Sequence, residues 1–436
     1  MKISVIGCGY LGAVHAAAMA SLGHNVVGIE RDVNKIEALS QGKAPFFEPD
    51  LPELLSAGVE SGRLRFSSEV SDAQGAAVHF ICVGTPQLPG SNAADLTFVH
   101  EALDKLLPYL TPGDIVAGKS TVPVGTAELL AERVSFCRAT LVWNPEFLRE
   151  GFAVKDTLEP DRLVVGAPEN EEGARAVDVL KQVYSSAVST DTPFIVTNLA
   201  TAELVKVAAN SFLATKISFI NAMAEIAEKV GADVTQLADA IGHDVRIGRR
   251  FLGAGIGFGG GCLPKDIRAF TARAEELGLG NSVSFLKEID SINLRRRTHA
   301  VNLTIGALGG EIKGKKITVL GAAFKPHSDD IRDSPGLDVA EQLHQLGARV
   351  VVTDPEALDN ARRAKPDLEY ETDRDTALTN ADAVILVTEW DDYRRKLSPD
   401  YAGGLVTSRI IVDGRNCLDS ALWRDAGWRY IGMGKP

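Results

Sequence analysis

Lys2-Ile-Ser-Val-Ile-Gly-Cys-Gly-Tyr-Leu-Gly12 decides the fold. A β-branched strand runs into Gly7-x-Gly9-x-x-Gly12, and an alanine-rich helical stretch follows to Ala20. Gly7 permits a tight turn, Gly9 lets backbone approach a pyrophosphate, and Gly12 lets helix and strand pack closely. The helix start then offers N–H groups and a positive dipole end to the anion. Glu30 follows at the end of a second strand, where a carboxylate can accept hydrogen bonds from ribose hydroxyls and repel a 2′-phosphate. The expected cofactor is therefore NAD, although neighbouring Arg31 could welcome that phosphate. Two readings compete: a glycine turn that serves packing alone, and a secretory signal peptide over the same residues. The glycine spacing favours the cofactor over both.

The opening has an echo. KITVLGAAFK from Lys316 and QLGARVVVTD up to Asp354 repeat the order strand, glycine, helical pattern, Leu-Gly, strand, acid. Gly23 to Glu30 and Gly347 to Asp354 both span seven positions, and AAVHFICVGTP (76–86) resembles ADAVILVTEW (381–390). Strands alternating with helical segments predict parallel sheets, so the expected fold class is α/β, with two Rossmann-like doubly wound domains. The second half lacks the later glycines, and its loop after Gly321 is longer and charged, which predicts a different ligand. From about Thr201 to Val230 there is neither Pro nor Gly, which predicts a long central helix joining the halves. That helix suits dimerisation; a connector buried in a monomer is the alternative. The expected domains are 1–200, binding NAD; 201–305, helical and carrying a cysteine loop; and 306–436, binding a second ligand.

Composition narrows the function. The chain has 436 residues and a net charge of -12, against a nucleic-acid partner, whose phosphates need a Lys/Arg surplus. No run of 18 apolar residues occurs, so no membrane span is expected. Five scattered cysteines without a C-x-x-C pair predict neither a disulfide framework nor a metal site, and a reducing, cytoplasmic location.

Six of the nine residues 253–261 are glycine, and Cys262 follows at once, with Leu263-Pro264 opening a helix. Glycines let backbone come close to a ligand. A thiol at a helix N-terminus is favoured as thiolate, the nucleophilic form, and Lys265 adds positive charge. Asp266, four residues on, shares the helix face and could orient a water. The competing reading of Cys262 is a small buried hydrophobe. Lys206 and Asn210, also four apart, could hold an oxyanion or simply line a solvated face. Glu146 and Glu150 are candidate acid/base carboxylates or exposed loop charges. Thr85 and Thr121 follow apolar strands, where a doubly wound sheet places its ligand; for Thr121 a turn role competes.

Taken in order, GCGYLG (7–12), KSTVPVGT (119–126), NPEFLREG (144–151), PDRLVVG (160–166), ELVKVAANSFLATK (203–216), FGGGCLPKD (258–266), AFKPHSDDIRDSP (323–335), LVTEWDDY (386–393) and VDGRN (412–416) resemble the UDP-glucose/GDP-mannose dehydrogenase family nearly end to end. The resemblance implies a four-electron oxidation of a sugar C6 alcohol to a carboxylate with two NAD. At the matching positions Cys262 forms a thiohemiacetal and then a thioester. Lys206 and Asn210 stabilise oxyanions, Asp266 and Thr121 hold the catalytic water, and Glu146 is the acid/base carboxylate of the later steps. The implied sugar-nucleotide contacts also include Phe147, Leu148, Arg149, Glu150, Phe251, Gly255, Gly257, Gly259, Lys325 and Arg415. Arg246 matches an arginine reaching a neighbouring subunit's site, in keeping with a homodimer. The expected cofactor contacts are Gly7, Gly9, Tyr10, Leu11, Gly12, Glu30, Lys35, Thr85, Thr121, Glu150, Lys265 and Arg332. PDRLVVG and LVTEWDDY look more like the UDP-glucose branch; GDP-mannose and N-acetylated UDP-sugars are the alternatives, and a non-catalytic nucleotide-sugar sensor is the reading from another class. Two departures stand out: Leu11 replaces a usual Val, and Gly261 stands where Ser is common.

Overall fold

The computed structural model describes residues 1–436. Two compact units divide the chain. The first comprises residues 1–209 and 272–278, the second 210–271 and 279–436.

The first unit holds an eight-stranded sheet. Its strands are β1 (Lys2–Ile6), β2 (Asn25–Ile29), β3 (Leu64–Ser67), β4 (Val78–Ile81), β5 (Ile115–Gly118), β6 (Thr140–Trp143), β7 (Leu163–Gly166) and β8 (Phe194–Thr197). Their order is β3-β2-β1-β4-β5-β6-β7-β8. The second unit holds β9 (Lys316–Leu320), β10 (Arg349–Thr353), β11 (Glu369–Tyr370), β12 (Ala383–Leu386), β13 (Ile410–Asp413) and β14 (Arg429–Gly432), in the order β11-β10-β9-β12-β13-β14. The first six strands of one sheet and all six of the other thus follow one doubly wound plan, with the switch point between β1 and β4 or between β9 and β12. The sequence echo is structural, and both α/β domains have the expected fold.

One pairing was not foreseen. β6 meets β7 antiparallel, at Trp143 and Gly166, so β7 and β8 form a parallel pair running against the other six strands. All four residues of β7 are buried and apolar or glycine, which carries no signal of strand direction.

The strands feeding the cofactor loop are buried for physical reasons visible in their composition. Residues 3–6 of β1 are all buried, and so are Gly12 through Ala20 of the helix Tyr10–Ser21. Small alanines let that helix lie close on the sheet, and apolar clusters cover both sheet faces. In the second unit a single large cluster spans β9, β10, β12 and β13, with Trp390, Trp423 and Trp428.

The long helix runs Leu199–Val230, 32 residues, against the expected start near Thr201. The helices Val234–Gly242, Leu263–Glu276 and Phe285–Ala307 follow, with a short 3₁₀ turn at Gly280–Val283 where the break was expected.

Candidate active site

In the first unit the glycine loop has the geometry its sequence requires. Gly7 has φ +88°, a conformation that favours glycine. A Cβ on Gly12 would collide with the Gly7 carbonyl oxygen, whereas one on Gly9 would meet nothing within 4 Å. Gly9 precedes the helix without a side-chain cap, so the first N–H groups of Tyr10–Ser21 have no capping side chain. An open, donor-lined cradle of this kind fits a pyrophosphate. Glu30 ends β2; its Oε2 accepts from Cys8 N (3.0 Å) and its Oε1 from Arg31 N (2.9 Å) and Asp32 N (3.1 Å). Those bonds hold the carboxylate at the strand end. The Arg31 side chain lies over Phe98 instead, 4.8 Å from the ring centroid. Lys35 lies in the first turn of the helix Val33–Ser40, where its backbone N–H donates to the capping Asp32.

Thr85 and Thr121 come together as the sheet topology requires: Thr85 Oγ1 donates to the Thr121 carbonyl at 2.7 Å. Glu146 is tied down on both oxygens, by Lys206 Nζ at 3.0 Å and by Leu148 N at 2.8 Å. The side chains of Lys206 and Glu146 are 6% and 12% exposed, so this is a sequestered ion pair and neither a solvated helix face nor a loop charge. The Phe147 ring stacks under the Arg162 guanidinium at 4.0 Å. Arg149 binds Asp156 through two nitrogens, at 2.9 and 2.7 Å, and Glu150 is buried.

Three buried polar side chains in this unit escaped the sequence reading. Glu48 accepts from the Tyr10 hydroxyl, from Gly151 N (2.6 Å) and from Ala153 N (2.7 Å). Lys119 Nζ donates to Asn144 Oδ1 at 3.1 Å and to Tyr184 Oη at 3.4 Å, and burial pushes its pKa down to about 8. This ammonium links the segment before Thr121 to the one before Glu146. Glu203, one turn before Lys206, accepts from Gly125 N (2.7 Å) and Ala127 N (2.6 Å), and burial pushes its pKa up to about 7. Each is a charged residue type in an apolar neighbourhood (FFEPDL, IVAGKST, LATAELV), the one signal available in sequence.

In the second unit Cys262 is exposed, which removes the reading of a buried hydrophobe, and the helix Leu263–Glu276 begins at the next residue. The Asp266 N–H donates to the Cys262 carbonyl at 2.9 Å, so the two share one helical turn. Asp266 is 2% exposed and takes Asn210 Nδ2 at 2.7 Å and Lys265 Nζ at 2.7 Å.

The glycine run serves packing against the unit's own atoms, where the sequence suggested ligand approach alone. A Cβ would collide with Gly414 at Gly255, with Asn293 at Gly257, with Asp333 at Gly259, with the Phe324 ring at Gly260 and with the Arg332 guanidinium at Gly261. The loop is also hydrogen-bonded along its length. Asn221 binds Gly255 N (2.9 Å), Asn293 binds both Phe258 N (2.7 Å) and Phe258 O (2.9 Å), and Arg415 binds Gly257 O (2.7 Å). Arg415, expected at the sugar nucleotide, thus braces the loop, and its Nη2 also binds Phe324 O at 3.1 Å. Phe251 holds a left-handed backbone, φ +65°, rare for an aromatic residue and the kind of strain that clusters at functional sites. Arg246 pairs with Asp244 and its side chain is 85% exposed. Lys325 Nζ lies 5.1 Å from the Phe324 ring centroid.

The corresponding crevice of this second unit differs from the first in two features. Asp354, the counterpart of Glu30, accepts from Ala322 N (2.7 Å), Ala323 N (3.0 Å) and Trp390 Nε1 (3.1 Å). The helix Pro335–Gln345 is capped by Ser334, so no uncapped anion cradle follows β9. A ligand other than a dinucleotide is consistent with both features.

Comparison with known proteins agrees along the whole chain. The UDP-glucose/GDP-mannose dehydrogenase family's NAD binding domain matches residues 1–188, its central domain 200–295 and its UDP binding domain 318–420. The chain is 41% identical to a UDP-glucose 6-dehydrogenase of Rhizobium meliloti (strain 1021), covering 100% of both, and 39% identical to UDP-glucose 6-dehydrogenase TuaD of Bacillus subtilis (strain 168), covering 100% of this chain and 93% of that protein. Among solved structures it is similar to a UDP-glucose dehydrogenase of Pyrobaculum islandicum (TM-score 0.89, 38% identity, 100% and 98% covered). It is also similar to a UDP-D-ManNAc dehydrogenase of Pyrococcus horikoshii (TM-score 0.86, 27% identity, 100% and 99% covered). No helix is long and apolar enough to cross a membrane. With an NAD-binding Rossmann unit, a UDP-binding counterpart and matches over all three domains, the chain belongs to the UDP-glucose/GDP-mannose dehydrogenase family.

Proposed function

We propose that this chain oxidises UDP-glucose to UDP-glucuronate in two NAD-dependent steps, with Cys262 as covalent nucleophile. The observation carrying the mechanism is the exposed Cys262 at a helix start, with buried Asp266 one turn on and already holding Asn210. Identities of 38% to 41% with proteins named for UDP-glucose favour that sugar over the N-acetylated one.

The cradle at Gly9 and the helix Tyr10–Ser21 would hold the pyrophosphate, and Glu30 the ribose. NAD, when bound, accepts two electrons and a proton equivalent at each oxidation. The first oxidation converts the C6 alcohol to an aldehyde with release of its hydroxyl proton, and Glu146, held by Lys206, serves as the acid/base carboxylate of the later steps. Cys262 Sγ then adds to the aldehyde carbon, forming a C–S bond, and Lys206 and Asn210 stabilise the oxyanion. The second oxidation leaves a thioester. Water positioned by Asp266 and Thr121 attacks the acyl carbon, the C–S bond breaks, the thiol is regenerated and the carboxylate departs.

This reading divides the chain into an NAD domain (1–200), a central helical region with the cysteine loop (201–305) and a UDP-sugar domain (306–436). It makes the enzyme a homodimer. Phe212, Phe219 and Ile226 recur every seven residues on the long helix and stand 67%, 47% and 55% exposed, an apolar row suited to a second copy. Exposed Arg246 would reach toward the partner's site. Stoichiometry tests the chemistry: two NADH per UDP-glucose consumed supports it, and one NADH with aldehyde accumulating sinks it. Cys262→Ser should bind substrate yet stall, and full turnover by that variant would remove Cys262 from the mechanism.

A further inference from the structure

Glu48 sits between two prolines in Phe46-Phe47-Glu48-Pro49, after Pro45, and is 3% exposed. A carboxylate so buried needs partners for both oxygens. It has them, and they come from two distant segments. Oε2 takes the Tyr10 hydroxyl and Gly151 N (2.6 Å); Oε1 takes Ala153 N (2.7 Å). The Gly151 N–H also reaches the Tyr10 oxygen at 3.3 Å, closing the triangle. Burial and the Glu48 carboxylate push the Tyr10 phenol far above its ordinary pKa, so it stays neutral and keeps donating.

The two segments have different work. Tyr10 is the first residue of the helix whose open N-terminus suits the pyrophosphate, and its ring packs on Phe46 at 4.8 Å. Gly151 and Ala153 end the segment that carries Glu146, Phe147, Leu148, Arg149 and Glu150. Gly151 adopts φ +77°, and the helix Ala153–Leu158 that follows packs against Tyr10–Ser21.

We propose that Glu48 is a positioning residue that locks the 146–153 substrate segment to the cofactor loop, so that ordering of one by its ligand orders the other. The proposal rests on reading 146–150 as the sugar-nucleotide segment. Its physical basis is that one carboxylate satisfies donors from both sides, so neither side can shift without leaving a buried hydrogen-bonding group unpaired. Coupling between two sites is reciprocal, so cofactor should tighten the segment and substrate should tighten cofactor.

Glu48→Gln tests it, because the amide keeps the shape but presents N–H groups to a backbone donor. The measurements are NADH affinity by fluorescence and hydrogen–deuterium exchange over residues 147–155, with and without NADH. Neither needs turnover, so their failure leaves the proposed reaction standing, and a failed reaction leaves them readable. In the native protein NADH should slow exchange at 147–155 by about tenfold, within the usual range of coupling. In Glu48→Gln the slowing should vanish while NADH still binds and exchange elsewhere in residues 2–29 is unchanged. Equal slowing in both proteins overturns the proposal. If Glu48→Gln does not fold, Tyr10→Phe removes one arm of the triangle and should reduce the slowing; a native response from that variant overturns the proposal equally. In turnover, Glu48→Gln should abolish the dependence of NAD affinity on UDP-glucose, an effect that a purely structural role would not single out.

Discussion

Asn210 Nδ2 donates to Asp266 Oδ2 at 2.7 Å, joining the long helix to the helix that starts beside Cys262. The bond matters because Asp266 is a nearly inaccessible carboxylate whose other oxygen is taken by Lys265 Nζ at 2.7 Å. It fixes the Asn210 amide, the group proposed above to stabilise the oxyanion. Asp266→Ala should leave that amide and the Lys265 ammonium unpaired. Loss of a preorganised oxyanion donor costs on the order of 10²–10³ in kcat, and the orphaned amide about 1–3 kcal/mol of stability. Steady-state NADH formation and thermal unfolding, measured together, separate the two losses; a variant with native kcat would refute the role.

The glycine loop gives a graded test. At Gly261 the obstacle to a side chain is the end of a flexible arginine, Arg332, whereas at Gly257 it is Asn293 and its backbone, with φ +91° as well. Gly261→Ser should therefore fold with a loss of about 1 kcal/mol or less while displacing the Arg332 side chain. Gly257→Ala should lose about 3 kcal/mol or more. Denaturant unfolding of both variants checks the order; equal losses would mean that the loop is less firmly held than its hydrogen bonds indicate.

Glu203 predicts a pH dependence. Burial raises its pKa to about 7 from 4.5, partly offset by the N–H groups of Gly125 and Ala127. A raised acid holds its proton in the folded state where the unfolded chain has lost it, so folding binds protons between pH 4.5 and 7. The associated stability is complete below 4.5 and is lost as pH rises through 7. Glu203→Gln does not titrate. It should be less stable than the native protein at pH 5, and the gap should close or reverse by pH 8, a change of roughly several degrees in Tm. A gap constant from pH 5 to 8 would exclude Glu203 as the titrating group.

The exposed row Phe212, Phe219 and Ile226 predicts self-association. Light scattering after size exclusion should give twice the chain mass, and Phe219→Glu together with Ile226→Glu should give one chain with native secondary structure by circular dichroism. A native protein that runs as a single chain at micromolar concentration would overturn the dimer. Burying an apolar side chain contributes about 1.5–3 kcal/mol, so two buried charges suffice to split such an interface.

The sequence determined those features that depend on local chemistry. Gly7, Gly9 and Gly12 fix a turn, a cradle and a helix contact within six residues, and the structure has each. The echo between residues 2–30 and 316–354 fixed a shared strand order, because alternating strand and helix patterns admit few windings. Cys262 followed by Leu263-Pro264 marked a helix start on short-range signals alone. Tertiary structure decided the rest. The direction of β7 depends on which edge it joins, and its residues read the same either way. Glu48, Lys119 and Glu203 looked like ordinary charges because their partners lie 103, 25 and 78 positions away, at Gly151, Asn144 and Gly125. Trp390 Nε1 donates to Asp354 across 36 positions, a partner that nothing near either residue in sequence announces. Local sequence states what a residue can donate or accept, but a buried group must be paired by whatever the fold brings to it, and that choice is made only when distant segments meet.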